Sequence, residues 1–405
     1  MRFRHADGSL VHLAYCANVH PAETLAGIRE RLSAVAVPAR RRLGAGRIGV
    51  GLWLPRGVAR TLDGDPAALS DLRDWLTDNG IEVVTLNGFP YQGFGDDVVK
   101  TAVYRPDWST RARLDYTLEL ARILGHLLPE DAVDGSVSTL PLGWADWWEP
   151  QRTVLSRGHL SRLADGLSRV RDDTGRRIRV GFEPEPGCVV ETSGDVAGPL
   201  AAAIASGVHP RHRDTLGVCL DTCHLAVAFE DPAEALGRLR QVRLPLVKLQ
   251  ASAALHVDHP HSADTRAALS RFAEPRFLHQ TRYPAAPGDP APIGGTHDLP
   301  EALALLDRAD PPDGPWRVHF HMPLHGEPPG GLRTTRDVLA STLSEVLGGP
   351  TALVRHVEVE TYTWPVLPAE RAGEESPDDT LAAGIAGELA WTREHLIRLG
   401  LTEEP

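Results

Sequence analysis

Val180-Gly181-Phe182-Glu183, Val218-Cys219-Leu220-Asp221, Val247-Lys248-Leu249-Gln250 and Val357-Glu358-Val359-Glu360 are four short, mainly apolar runs that each close on an oxygen-bearing side chain. Runs of this length bounded by polar residues read as strands covered on both faces. The same rhythm extends toward the N-terminus. Strands are predicted over residues 13–18, 48–54, 83–87, 136–140, 180–183, 217–221 and 246–250, and helices over 22–37, 66–79, 110–128, 153–173, 194–206 and 232–241. Asp231-Pro232 is a good helix start, because Asp caps free N–H groups and Pro is tolerated at the first helical position. A strand followed by an amphipathic segment, repeated from end to end, predicts an α/β fold with a parallel sheet closed as a (β/α)8 TIM barrel.

After residue 250 three strand-like runs follow, 277–281, 316–322 and 356–362, where a barrel needs one. We assign 356–362 as strand eight, followed by a helix over 380–397. Residues 256–345 are then a segment inserted between strands seven and eight near the barrel mouth, within a single domain spanning 1–405. The rival count puts 316–322 in the barrel. The Pro- and Gly-rich stretch 284–295 is predicted to be a mobile surface loop.

The 405 residues are 42% hydrophobic and 24% charged, the balance of a soluble globular chain. A net charge of -12 excludes a surface built to neutralise phosphates, so no nucleic-acid partner is expected. Arg40-Arg41-Arg42 reads as a solvated helix end. The four cysteines, Cys16, Cys188, Cys219 and Cys223, form no CxxC pair. There is no 18-residue apolar run and no leader-like N-terminus, so a cytoplasmic chain without direct membrane insertion is expected. Glycine-rich dinucleotide, P-loop and G-x-S-x-G signatures are absent, which removes the main support for dehydrogenase, kinase and serine-hydrolase readings.

Parallel barrels carry their chemistry at the C-terminal ends of the strands. A single acid there is commonly an N-cap or surface carboxylate. Four oxygen donors in succession instead predict that Glu183, Asp221, Gln250 and Glu360 converge on one divalent cation. Such hard ligands suit Mn2+ or Mg2+, with Zn2+ and Co2+ left open. If 316–322 takes the place of strand seven, His321 becomes the fourth ligand. His224 follows Asp221 in a D-x-x-H spacing and can reach the same pocket, as can Glu185. Lys248 lies one layer deeper, to pair with Glu358 or to hold a substrate oxygen. His319 and His321 share one face of V-H-F-H-M-P, while Asn18, His20 and Asn87 follow or end strands one and three. Trp53, Trp144 and Trp364 are either sugar-stacking walls or core. Cys219 and Cys223 bracket Asp221 but lack a second pair to complete a tetrahedral zinc set, so they read as small buried hydrophobes.

With these residues in view, the strings E-P-E-P-G, C-L-D-T-C-H, K-L-Q-A-S and E-V-E-T-Y-T-W resemble the xylose isomerase-like barrel superfamily. The resemblance implies one divalent metal held by Glu183, Asp221, Gln250 and Glu360, a substrate contact from His224, and Glu183 and Glu360 as acid and base. Over nearly the full chain, Y-C-A-N-V-H-P, T-L-N-G-F-P-Y-Q-G-F, Y-R-P-D-W, H-F-H-M-P and V-E-V-E-T-Y-T-W-P-V-L-P are similar to the EboE family of metabolite-traffic proteins. That likeness implies a secondary-metabolite pathway. The expected activity is a metal-dependent sugar- or cyclitol-type isomerase or epimerase, moving a proton next to a carbonyl of a small polyhydroxylated metabolite. A non-catalytic metabolite carrier and a metal-dependent hydrolase or dehydratase stay open, as do contacts with other pathway proteins and self-association.

Overall fold

Eight apolar runs, each buried along most or all of its length, form parallel strands in a computed structural model that describes residues 1–285, 293–368 and 376–404. They are β1 Leu10–Cys16, β2 Ile48–Trp53, β3 Ile81–Asn87, β4 Asp134–Thr139, β5 Arg177–Phe182, β6 Leu216–Asp221, β7 Leu246–Ala251 and β8 His356–Val359. Each pairs with the next in chain order, and β8 closes onto β1 through His356–His12 to Val359–Tyr15. The chain is therefore a closed eight-stranded parallel barrel. Arg2–Arg4 and Thr402–Glu404 add two antiparallel strands beside the start of β1.

Local chemistry starts the surrounding helices where it should. Asp65 caps Pro66–Asp78, Thr110 caps Arg111–Leu127, and Asp231 caps Pro232–Gln241, each through its side-chain oxygen. Helices facing the strands bury the apolar side of a 3.6-residue period, so the main core lies between the barrel wall and its helical coat. The predicted helix 22–37 begins later and runs further, as Leu25–Arg31, a widened turn at Leu32–Ala36, and Val37–Arg42. None of the described helices is long and apolar enough to cross a membrane.

The barrel interior is layered. Below the mouth, Lys248 Nζ meets Glu358 Oε1 at 2.9 Å, both side chains fully buried. Gly51 makes room for that pair, since a Cβ there would stand 1.7 Å from Glu358 Oε2.

Between β7 and β8 the chain builds a second, antiparallel sheet from Leu255–Val257, Thr281–Pro284, Ile293–Thr296, Trp316–Val318 and Arg333–Thr334. It has its own core around Phe272, Leu299, Trp316 and Phe320. Trp316–Val318 pairs with Leu255–Val257 and with Thr281 and Arg282, which removes 316–322 from the barrel count. The expected segment 256–345 is too long at its C-terminal end. Helix Arg336–Leu347 packs on Pro232–Gln241 and Pro377–Arg398, burying Leu339, Leu343, Val346 and Leu347, and so serves as the barrel helix before β8. Of the run 277–281 only Thr281 is in a strand, and the strand predicted over 356–362 ends at Val359. In the predicted loop 284–295, Pro284, Ile293, Gly294 and Gly295 are paired strand residues, and 286–292 lie outside the described residues.

Candidate metal centre

Three carboxylates meet at the C-terminal mouth. Glu183 follows β5 with its N–H on the Thr139 carbonyl at 2.9 Å, Asp221 ends β6, and Glu360 follows β8 with its N–H on the Ala251 carbonyl at 3.2 Å. One oxygen from each lies within 4.8 Å of the others, and all three residues are buried. Gln250 stands in β7 with its Cα in register with Asp221 on one side and Glu358 on the other.

Hydrogen bonds aim these groups. Asp221 Oδ1 accepts from the His224 N–H at 2.9 Å and from Ser252 Oγ at 2.8 Å. Glu360 Oε1 accepts from Asn18 Nδ2 at 2.6 Å and Asn87 Nδ2 at 3.0 Å. The remaining oxygens Glu183 Oε2 and Asp221 Oδ2, with both polar atoms of the Gln250 side chain, are buried without a protein partner. Orphaned buried acceptors each cost about 1–3 kcal/mol, so such a grouping calls for a ligand that takes lone pairs. The three grouped carboxylate oxygens are a donor set that fits a divalent cation. Without one the acids repel. Burial, then Glu360 and Asp221, pushes Glu183 well above the ordinary carboxyl range, and burial, then Asp221 and Glu358, pushes Glu360 up to about 8.

Above the acids the insertion lowers His319 and His321 onto His224. His224 Nε2 and His319 Nε2 are 3.0 Å apart, and His319 Nε2 and His321 Nε2 are 3.2 Å apart. Their Nδ1 atoms face the Pro184 carbonyl (2.8 Å), Gln280 Oε1 (2.7 Å) and the Glu360 carbonyl (2.7 Å) for His224, His319 and His321 respectively. Burial lowers His321 to about 4 and His319 well below the usual histidine range, with the neighbouring imidazoles adding to the shift at His319. Glu185 lies beside them, held at about 7 chiefly by burial, and its Oε1 accepts from Tyr104 at 2.6 Å.

Glu183, Glu185, His224, His319, His321, Glu360 and Asn87 therefore line one cavity, together with Asn18, Tyr104 and Tyr362. Two expected substrate contacts do not join it. Lys248 points into the layer below and is consumed by Glu358, which raises its pKa against the opposing effect of burial. His20 bonds Tyr15 at 2.9 Å, and Tyr15 belongs to the apolar core rather than to the cavity lining. The aromatic wall is also displaced. Phe89, Phe94, Phe277 and Tyr362 line the cavity, whereas Trp53, Trp144 and Trp364 do not. Sequence reasoning missed Tyr104 and Gln280. They form a relay in which Gln280 Nε2 donates to Tyr104 Oη at 2.9 Å and Gln280 Oε1 faces His319; Tyr104 opens the Y-R-P-D-W string, which assigns it no role, and no periodicity or motif marks Gln280. All four cysteines are buried free thiols.

The barrel with acids at its mouth defines the class, and the comparison of families agrees. Residues 41–341 match the model described as xylose isomerase-like TIM barrel, and the chain belongs to that family. No curated protein sequence matches it. Among solved structures it is similar to a xylose isomerase-like TIM barrel protein from Mycobacterium smegmatis in complex with magnesium, at 12% identity and TM-score 0.49 over 95% of this chain and 98% of that one. A D-tagatose 3-epimerase-like protein is similar at 13% identity and TM-score 0.47, over 96% and 98% of the two chains. The IOLI protein with a binding zinc atom is similar at 14% identity and TM-score 0.44, over 95% and 98%.

Proposed function

We propose that the chain is a divalent-metal-dependent isomerase or epimerase that moves a proton at a carbon next to a carbonyl of a small polyhydroxylated molecule. The observation that carries this reading is the pair Glu183 and Glu360, both buried, both with raised pKa, and set around one group of orphaned oxygen ligands. Glu183, Asp221, Gln250 and Glu360 would hold the cation. Bound there, Mn2+ or Mg2+ supplies a Lewis acid that polarises the carbonyl, and Zn2+ or Co2+ would serve the same donors.

The protein groups do the rest. Glu360, ordered by two amide donors from Asn18 and Asn87, is the easier of the two to ionise and takes the proton. Glu183 has no donor on Oε2 and carries the proton that is returned. Asn87, His224, Glu185, His319 and His321 would orient hydroxyl groups, while Phe94, Phe277 and Tyr362 close an apolar side that excludes water. The EboE resemblance adds a secondary-metabolite setting and contact with other pathway proteins to this reading.

Solvent hydrogen exchange tests it. Ketoses and ketocyclitols incubated with metal-loaded protein in deuterium oxide are expected to gain one carbon-bound deuterium, and Glu183→Gln and Glu360→Gln are expected to keep their fold and lose the exchange. Undiminished exchange in both variants would sink the proposal. Tight binding without any exchange would favour a carrier.

A further inference from the structure

The three imidazoles that meet under the insertion face one another with the wrong atoms. His224 Nδ1 and His321 Nδ1 each lie against a backbone carbonyl, which can only accept, so both Nδ1 atoms carry hydrogen. For His319 the partner is Gln280, whose Nε2 is committed as donor to the Pro186 carbonyl at 2.9 Å. The Gln280 oxygen is therefore the atom turned to His319, and His319 Nδ1 carries hydrogen too. In the neutral ring the other nitrogen is then a bare lone pair. His319 Nε2 therefore faces the bare Nε2 of His224 at 3.0 Å and that of His321 at 3.2 Å. No hydrogen bond can form between two acceptors.

Few protein groups relieve this. The Tyr362 hydroxyl is 3.4 Å from His319 Nε2 and can serve one of the three lone pairs at most. One extra proton on His319 adds a single donor between two facing acceptors. A cation satisfies all three at once. Zinc–imidazole bonds of about 2.0–2.1 Å in a tetrahedron place neighbouring nitrogens about 3.3 Å apart, close to the two contacts made by His319, 3.0 and 3.2 Å.

We propose that His224, His319 and His321 bind a second divalent cation, separate from the one at the acids. Imidazole donors select the borderline class, Zn2+, Co2+ or Ni2+, over Mn2+ or Mg2+. All three histidines line the cavity, so three protein ligands leave a fourth position for water or an oxygen of the bound molecule. Asp221 stands between the two sites, with Oδ1 3.9 Å from His224 Nε2 and its oxygen also grouped with Glu183 and Glu360. The Cys223 thiol lies within 4.8 Å of the His319 and His321 nitrogens and is the next donor outside the triad. The inference does not rest on which reaction the acids perform.

The test uses the full chain, stripped with chelator and titrated with Co2+ while bound metal and visible absorption are measured. Wild type is expected to take two Co2+ per chain. His319→Asn should take one and lose the intense absorption of nitrogen-ligated tetrahedral cobalt. Glu183→Gln/Glu360→Gln should also take one but keep that absorption, which separates failure of this site from failure of the acidic one. A wild type that binds Co2+ without the absorption of nitrogen-ligated tetrahedral cobalt, or a second Co2+ that persists in His319→Asn, overturns the proposal. If His319→Asn does not fold, X-ray absorption of wild type decides, because imidazole scattering from part of the bound cobalt is expected and an all-oxygen shell refutes the site.

Discussion

Lys248→Met probes the layer on which the acids stand. Lys248 and Glu358 are fully buried, 2.9 Å apart, in the barrel interior. Removing the ammonium leaves the Glu358 carboxylate in a place with no replacement donor, since its Oε2 is already without a partner and the facing Gly51 presents only backbone. Breaking a buried pair from one side costs about 3–5 kcal/mol, far more than the pair itself contributes over an apolar equivalent. The assay is equilibrium urea unfolding of metal-free protein followed by circular dichroism. A lower midpoint at unchanged slope is expected for Lys248→Met, with most of the loss recovered in Lys248→Met/Glu358→Leu. If the single variant loses less than about 1 kcal/mol, or the double variant is as unstable as the single one, the account of the pair is wrong.

Three other outcomes follow from the same structure. Mn2+ at a hundredfold excess over its dissociation constant should raise unfolding free energy by about 2.7 kcal/mol, and Asp221→Asn should reduce the gain sharply in a denaturant titration. Glu388 accepts from Leu324 N, Thr361 Oγ1 and Trp364 Nε1, yet burial holds it at about 7 against an ordinary 4.5. Between those values the folded chain keeps a proton that the unfolded chain has lost, so this group's contribution falls as pH rises from 4.5 to 7, by about 3 kcal/mol at most. Glu388→Gln should flatten that part of a stability–pH profile, and an unchanged slope would contradict the assignment. Gly51→Ala drives a methyl into Glu358 and is expected to lower the melting temperature measured by calorimetry, whereas an unchanged value would mean that the interior yields.

The barrel was legible because β strands buried on both faces write themselves as apolar runs, and because a parallel barrel turns the residue closing each run toward the mouth. Glu183, Asp221 and Glu360 are placed together for that reason. Alternation also put Lys248 and Glu358 in one layer, and the structure adds that this layer is sealed from the cavity. What the pattern could not carry was loop geometry. His20 follows β1 only two residues after Asn18, yet only Asn18 turns in to Glu360. Their separation depends on the short helical turn Ala17–Val19, in which neighbouring residues point in different directions. The insertion boundary slipped for a related cause, because an apolar helical period at 336–347 reads the same on a barrel coat as on an inserted layer.

The insertion changes what the barrel mouth can bind. A barrel with the acids alone offers oxygen donors at the floor of an open cleft, whereas His319, His321 and Gln280 bring nitrogen donors and a hydrogen-bonded relay over it from a sheet with its own core. Moving such a ceiling breaks the contacts of His321 Nδ1 with the Glu360 carbonyl and of Gln280 Nε2 with Tyr104 and the Pro186 carbonyl, so the insertion and the cavity are energetically coupled. Any molecule held against Glu183 and Glu360 must therefore also satisfy the histidines. On the proposed function that double demand, oxygen contacts below and nitrogen contacts above, would narrow the choice of substrate, and its upper half comes from the segment in which the strand rhythm breaks.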